Sequence, residues 1–163
     1  MIFLTVGTQF PFDRLVRAVD EALGRSALDD EVLAQVGHRG YRPRHMKWVE
    51  TLEREAFGER VARARALVGH AGVGTILTAL EAGKPLLVMP RLRRYGEIVN
   101  NHQVVTARKF AELGHVLMAH DEREIPAQLA ALESFVPVPR HANPGGIVAR
   151  LKAFLDRVAD GRR

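Results

Sequence analysis

The sequence contains no cysteine among its 163 residues, which excludes disulfides and thiolate metal sites. Aromatic residues are scarce, with one Trp and two Tyr. Only Tyr41, Trp48 and Tyr95 lie near arginines, whereas a surface for single-stranded nucleic acid interleaves aromatic and basic side chains; no nucleic-acid partner is expected. No apolar run approaches the roughly 20 residues of a membrane-spanning helix. The opening Ile2-Phe3-Leu4 lacks the basic region and small-residue cleavage site of a signal peptide, so a cytoplasmic location is expected. Internal repeats, low-complexity tracts and linkers are also missing, and the length suits one domain over residues 1–163.

What is present is a basic excess and a regular alternation. Lys and Arg number 24 against 19 Asp and Glu, a net charge of +5, which favours polyanions, anionic head groups or phosphorylated ligands without choosing among them. Short apolar runs alternate with amphipathic stretches from end to end, the pattern of a parallel sheet flanked by helices. The fold class is therefore α/β, a single Rossmann-like domain. Strands are predicted at 2–6, 32–36, 66–69, 86–89 and 116–118, with a weaker one at 47–49. Helices are predicted at 13–24, 52–65, 75–82, 101–113, 122–133 and 147–158. The last carries Ile147, Leu151, Phe154, Leu155 and Val158 on one stripe, fit either for its own sheet or for a partner.

The stretch from Val68 through Gly69, His70, Ala71, Gly72, Val73 and Gly74 to Thr75 leaves a buried strand, turns on glycines and enters a helix. The first turn of a helix presents unpaired N–H groups and the positive end of the macrodipole, so an anion is stabilised there. Gly72 and Gly74 let a phosphate approach the backbone, and Thr75 can cap the helix or donate its hydroxyl to a phosphate oxygen. A tight strand-to-helix connection with no ligand is the alternative. The third glycine of a dinucleotide fingerprint is missing, and Gly83-Lys84-Pro85 stands at a helix end, not in a P-loop.

Three further groups are aimed at the same end of the sheet, where ligands of open α/β sheets bind. Glu81 shares a helix face with Gly74, Leu77 and Thr78 and can accept hydrogen bonds from vicinal hydroxyls, or stand as a solvated surface residue. Asn100, Asn101, His102 and Gln103 enter a helix with donors and acceptors suited to sugar hydroxyls, although N-capping accounts for either Asn alone. The exit of the first strand, Gly7-Thr8-Gln9-Phe10-Pro11-Phe12-Asp13, is a second glycine turn running into a helix. The run Arg91, Arg93, Arg94, Tyr95 is read as a contact for phosphate or lipid head groups, or as a solvated loop. The segment Arg39–His45 matches no pattern.

Together, Met1–Gln9 with Phe12-Asp13, His70-Ala71-Gly72 with Gly74-Thr75, Glu81, Gly83-Lys84-Pro85 and Asn101-His102-Gln103 resemble the family 28 glycosyltransferase C-terminal domain over about the first 120 residues. Within it the likeness is to PssE-type exopolysaccharide glycosyltransferase subunits and to the catalytic subunit of the dolichol-linked UDP-N-acetylglucosamine transferase. The resemblance implies the C-terminal, donor-binding half of a GT-B enzyme and inverting transfer from a UDP-sugar to a lipid-linked saccharide acceptor. It also implies a membrane-anchored partner subunit that holds this chain at the inner face of the membrane. It places Gly7 and Thr8 near the diphosphate, and His70 with Gly72, Val73, Gly74 and Thr75 along the nucleotide. Glu81 then falls on the ribose hydroxyls, Asn101, His102 and Gln103 on the donor sugar, and the uracil contacts around Gln35-Val36-Gly37 and Met46–Val49. No metal and no cofactor beyond the UDP-sugar substrate is expected, and no residue stands out as the general base, which is expected in the partner. Glucuronic acid, N-acetylglucosamine, galactose and glucose all remain open as the transferred sugar. Two other classes also remain open: a non-catalytic subunit that regulates a separate transferase, and a polyanion-binding module.

Overall fold

A computed structural model of the chain describes residues 1–25, 30–140 and 152. Six strands form one parallel sheet: β1 (Ile2–Thr5), β2 (Val32–Gln35), β3 (Lys47–Val49), β4 (Ala66–His70), β5 (Leu86–Met89) and β6 (Leu117–Met118), in the order β3-β2-β1-β4-β5-β6. Helices α1 (Asp13–Gly24), α2 (Arg54–Arg63), α3 (Val73–Glu81), α4 (His102–Glu112) and α5 (Ile125–Leu132) connect or follow them. Short 3-10 turns stand at Arg93–Tyr95 and Glu122–Glu124. The α/β reading of the sequence holds, and so does the weaker strand at 47–49, which pairs in parallel with β2.

Near-continuous burial along β1, β4 and β5 follows from helices covering both faces, as parallel sheets require. On one face Ile2 and Leu4 pack with Leu15, Val16 and Val19 of α1 and Leu129 of α5. On the other, Phe3 packs with Val61 of α2, Ile76 and Ala79 of α3 and Ala107 of α4. Each such side chain, fully withdrawn from water, contributes roughly 1.5–3 kcal/mol before entropy is counted. The order places β1 beside β4 while the next strands run outward on either side, so a crevice opens at their carboxyl ends.

Three boundaries depart from expectation. Helix α3 begins at Val73 instead of Thr75, because Gly72 is already extended (ψ 133°) and its carbonyl accepts the first intrahelical bond from Ile76 N–H. Thr75 is thus inside the helix and does not cap it. Helix α2 starts at Arg54, after an extended Glu53. The expected helix at 122–133 is a 3-10 turn capped by the Asp121 side chain, followed by α5 with Pro126 in its first turn. The expected helix at 147–158 lies outside the described residues, Lys152 apart.

The unplaced segment Arg39–His45 is ordered by one buried carboxylate. Asp20 of α1 is 1% exposed and accepts hydrogen bonds from Tyr41 O–H at 2.9 Å, Arg44 N–H at 3.0 Å and His45 N–H at 2.7 Å. Asp13 takes Tyr41 N–H at 2.8 Å, and the Arg17 guanidinium covers the Tyr41 ring at 4.3 Å. Burial pushes the Asp20 carboxyl up, but the bonds from His45, Arg44 and Tyr41 outweigh it and hold the group below the ordinary 3.8. Its stabilisation is therefore complete above about pH 4 and is lost as the pH falls through the folded value. Asp20→Ala, which orphans two main-chain donors, is expected to cost about 3 kcal/mol at pH 7. Asp20→Asn is expected to flatten the acid limb of thermal stability between pH 5 and 2. An acid limb unchanged in that variant would rule the carboxylate out as the anchor of the loop.

Candidate functional site

The site is built where β1 and β4 end. At the exit of β1 the hydroxyl of buried Thr5 accepts from Gly7 N–H at 3.2 Å and donates to Gln35 Oε1 at 3.2 Å. Gly7 has φ +79°, a conformation that only glycine takes readily. At the exit of β4 the imidazole of His70 lies between two glycines: a Cβ on Gly7 would come within 2.8 Å of its Cε1, and one on Gly72 within 2.3 Å of its Nε2. These glycines therefore make room for a histidine ring. Burial, with the nearby charge of Arg91, lowers the His70 pKa from 6.5 to about 4, so the ring is neutral at physiological pH. Its Nδ1 is buried with no hydrogen-bond partner among the described residues.

Beyond His70 the chain enters α3 with no side chain capping its first turn. The N–H groups of Val73, Gly74 and Thr75 precede the first intrahelical bond and have no partner among the described residues. Nothing lies within 4 Å of where a Cβ on Gly74 would stand, and Val73 is exposed. Thr78, one turn beyond Gly74 on the same face, donates its hydroxyl to Gly74 O at 2.9 Å. Glu81 follows at the end of the helix, about 10 Å from Gly74 by helical rise, exposed to solvent. Thr78, not singled out from the sequence, thus stands between Glu81 and the open turn.

The exit of β5 completes the rim. Asn101 Oδ1 accepts from Arg93 N–H at 3.0 Å, and Asn100 Oδ1 accepts from His102 N–H at 3.0 Å and contacts His102 Nδ1. Asn101 and His102 are both exposed. Gln103 points the other way: it is buried, and its Oε1 accepts from Arg91 N–H at 3.1 Å, so it braces the loop and offers nothing outward. On the β2 side Gly37, at φ +81°, packs against the main chain of Pro11, where a Cβ would come within 3.2 Å. Thr8 lies exposed on the first loop beside Gln9 and Phe10. The structure thus gathers Gly7, His70, Gly72, Val73, Gly74 and Thr75, sets Thr8 on an exposed loop and Asn101 and His102 at the exposed start of α4, and turns Gln103 inward.

The arginine run divides: the solvated-loop reading holds for Arg93 and Arg94 but not for Arg91. Arg93 and Arg94 are solvated, but Arg91 is 4% exposed and donates to three main-chain carbonyls, Val6 at 2.9 Å, Phe10 at 2.7 Å and Pro11 at 2.7 Å. Arg14, also missed, bonds both carboxylate oxygens of Glu97 at 2.8 and 2.9 Å, Glu122 at 3.0 Å and Pro90 O at 3.1 Å. A cavity of about 600 Å³ between α1 and α5 includes none of the predicted site residues. Among the described residues no three His, Cys, Asp or Glu side chains converge as metal ligands, and no helix is long and apolar enough to cross a membrane.

Residues 1–143 match the glycosyltransferase family 28 C-terminal domain. The chain belongs to this family. It is 30% identical over 128 residues to the human UDP-N-acetylglucosamine transferase subunit ALG13, covering 71% of this chain and 10% of that protein. Against the Saccharomyces cerevisiae subunit of the same name it is 38% identical over 81 residues, 48% of this chain and 38% of that one. The chain thus spans about a tenth of the human relative and under two-fifths of the yeast one. Its fold matches the solution structure of ALG13 with TM-score 0.62 at 24% identity, over 88% of this chain and 91% of that one. It matches the calicheamicin glycosyltransferase CalG4 with TM-score 0.59 at 20% identity, over 82% of this chain and 34% of that one. The family 28 domain is accordingly a single Rossmann-like unit corresponding to the C-terminal half of a GT-B glycosyltransferase.

Its glycines separate into two kinds with opposite expected effects. Gly74→Ala meets open space and is expected to leave stability unchanged or raise it by up to about 1 kcal/mol, while its methyl group obstructs the open turn. Gly72→Ala drives into the His70 ring and is expected to cost about 1–3 kcal/mol. Thermal unfolding of the two variants tests this, and equal destabilisation would contradict it. His70 adds a pH signature. Between pH 6.5 and 4 the unfolded chain binds a proton that the folded chain refuses, so stability from this residue is complete above pH 6.5 and falls by about 3 kcal/mol toward pH 4. His70→Gln is expected to remove that slope, measured as the melting temperature against pH.

Proposed function

We propose that this chain is the donor-binding part of an inverting, UDP-sugar-dependent glycosyltransferase that transfers a hexose unit to a lipid-linked saccharide in exopolysaccharide synthesis. The observation that carries the reading is the uncapped first turn of α3 beside a neutral, buried His70 at the β1–β4 crevice. Three open N–H groups and the helix dipole stabilise an anion where the diphosphate of a nucleotide sugar would lie. In the transfer the anomeric bond breaks toward UDP and negative charge grows on the departing phosphate. Preorganised donors of this kind, like oxyanion donors elsewhere, are worth about 3 kcal/mol each in the transition state, and they act without a divalent cation. Thr8 on its exposed loop and Asn101 and His102 at the exposed start of α4 are assigned to the donor sugar and diphosphate, and Glu81 to the ribose hydroxyls.

The acceptor side and its general base are assigned to a membrane-anchored partner that forms the other wall of the cleft and keeps this chain at the cytoplasmic face. Exposed Phe10 and Val73 at the mouth of the crevice, 64% and 51% accessible, suit a site that a second protein covers. Among the open donor sugars, N-acetylglucosamine is favoured by the activity in the human and yeast relatives' names.

Calorimetric titration of the purified chain, alone and with its partner, against UDP and UDP-sugars of N-acetylglucosamine, glucuronic acid, galactose and glucose tests the reading. UDP binding is expected with or without Mg²⁺, and Glu81→Ala is expected to weaken it about ten-fold. Undiminished binding in Glu81→Ala with loss in Thr78→Val would move the ribose contact one turn toward the anion site. No UDP binding in the presence of the partner would defeat the assignment.

A further inference from the structure

The loop between β1 and α1 has no regular structure from Gly7 to Phe12, yet it runs over the crevice with its carbonyls turned into the protein. Carbonyls in such a place need donors, and here three of them find the same one. Val6 O, Phe10 O and Pro11 O converge on the Arg91 guanidinium at 2.7–2.9 Å, while the Phe12 ring packs against it with its centroid 4.7 Å from Cζ. The Arg91 main chain is fixed in turn by buried Gln103. Among the described residues no carboxylate pairs with this arginine. It is therefore a buried cation whose hydrogen bonds all go to neutral acceptors, with the charge of Glu97 only partly offsetting its burial, a costly arrangement unless its charge or its geometry serves something. It lies close enough to His70 for its charge to bear on that ring, and the ring itself rests on Gly7 of the same loop.

We propose that Arg91 is a positioning residue of the phosphate site: through three carbonyls it holds the Gly7–Pro11 loop against His70, beside the open first turn of α3, in the conformation that receives a diphosphate. This rests on the donor-site reading above. An arginine suits the task because its planar fork reaches several acceptors at fixed angles and stays charged at any physiological pH. A lysine in its place keeps the charge and loses the fork.

Arg91→Lys and Arg91→Met are compared with the unsubstituted full-length chain by two measurements. Amide hydrogen exchange across residues 6–11 reports the loop without any ligand. NMR titrations with UDP and with uridine separate the phosphates from the rest of the nucleotide. Faster exchange in the loop is expected in both variants, with UDP affinity falling roughly ten-fold or more and uridine affinity staying within two-fold; Arg91→Lys, with its charge kept, guards against simple unfolding of Arg91→Met. Unchanged exchange in both variants overturns the proposal, and so does an equal fall in UDP and uridine affinity, which would mark general damage. If the unsubstituted chain with its partner binds no UDP, the donor reading falls instead, and the exchange comparison still decides whether Arg91 holds the loop.

Discussion

Everything at the functional end of this domain depends on β1 and β4 lying side by side while the parallel strands that follow them are added on opposite sides of the pair. A parallel sheet with that order leaves one place uncovered by crossover helices, and the chain must bring irregular loops to it. Irregular backbone in a half-buried place has unsatisfied polar groups, and the sequence answers this with side chains. Thr5 takes the Gly7 N–H, Gln103 takes the Arg91 N–H, and Arg91 takes three carbonyls of the first loop. Among the described residues the first turn of α3 keeps its N–H groups without a partner.

The arginines change the meaning of the basic composition. A net charge of +5 reads from the sequence as surface attraction for polyanions. Yet Arg91 is internal, and Arg14 is shared between Glu97, Glu122 and the carbonyl of Pro90. Arg14 lies under the Tyr95 ring as well, at 4.8 Å, so it joins α1 to the β5 exit and to the turn before α5. Both act as struts between loops that helix and strand geometry leave independent. Part of the excess positive charge is thus spent inside, which weakens the case for a polyanion-binding module.

The architecture was legible because apolar alternation and glycine punctuation are local signals. Strand limits agree to within one residue, and even the short β3 announces itself through Lys47-Trp48-Val49. The glycine turn into α3 was legible for the same reason, strand, turn and helix being contiguous. What escaped reading depends on direction or on distant partners. Gln103 and His102 are neighbours in the sequence, but one helical residue of rotation sends the first inward and leaves the second exposed. Arg91 looked like its neighbours Arg93 and Arg94, since nothing local tells that carbonyls of residues 6, 10 and 11 await it. Asp20 did leave a trace, as a carboxylate on the apolar stripe of Val16, Val19 and Leu23, where a charge persists only with partners.

The electrostatics of the crevice also differ from what a histidine beside glycines suggests. A protonated His70 would supply a cation that comes and goes near neutrality. Burial and Arg91 instead keep the ring neutral down to about pH 4, so its part is to offer shape and a polar edge. The lasting positive character of the site comes from the α3 dipole and from Arg91, and neither titrates in the physiological range. The positive character of the crevice therefore does not vary across the physiological pH range.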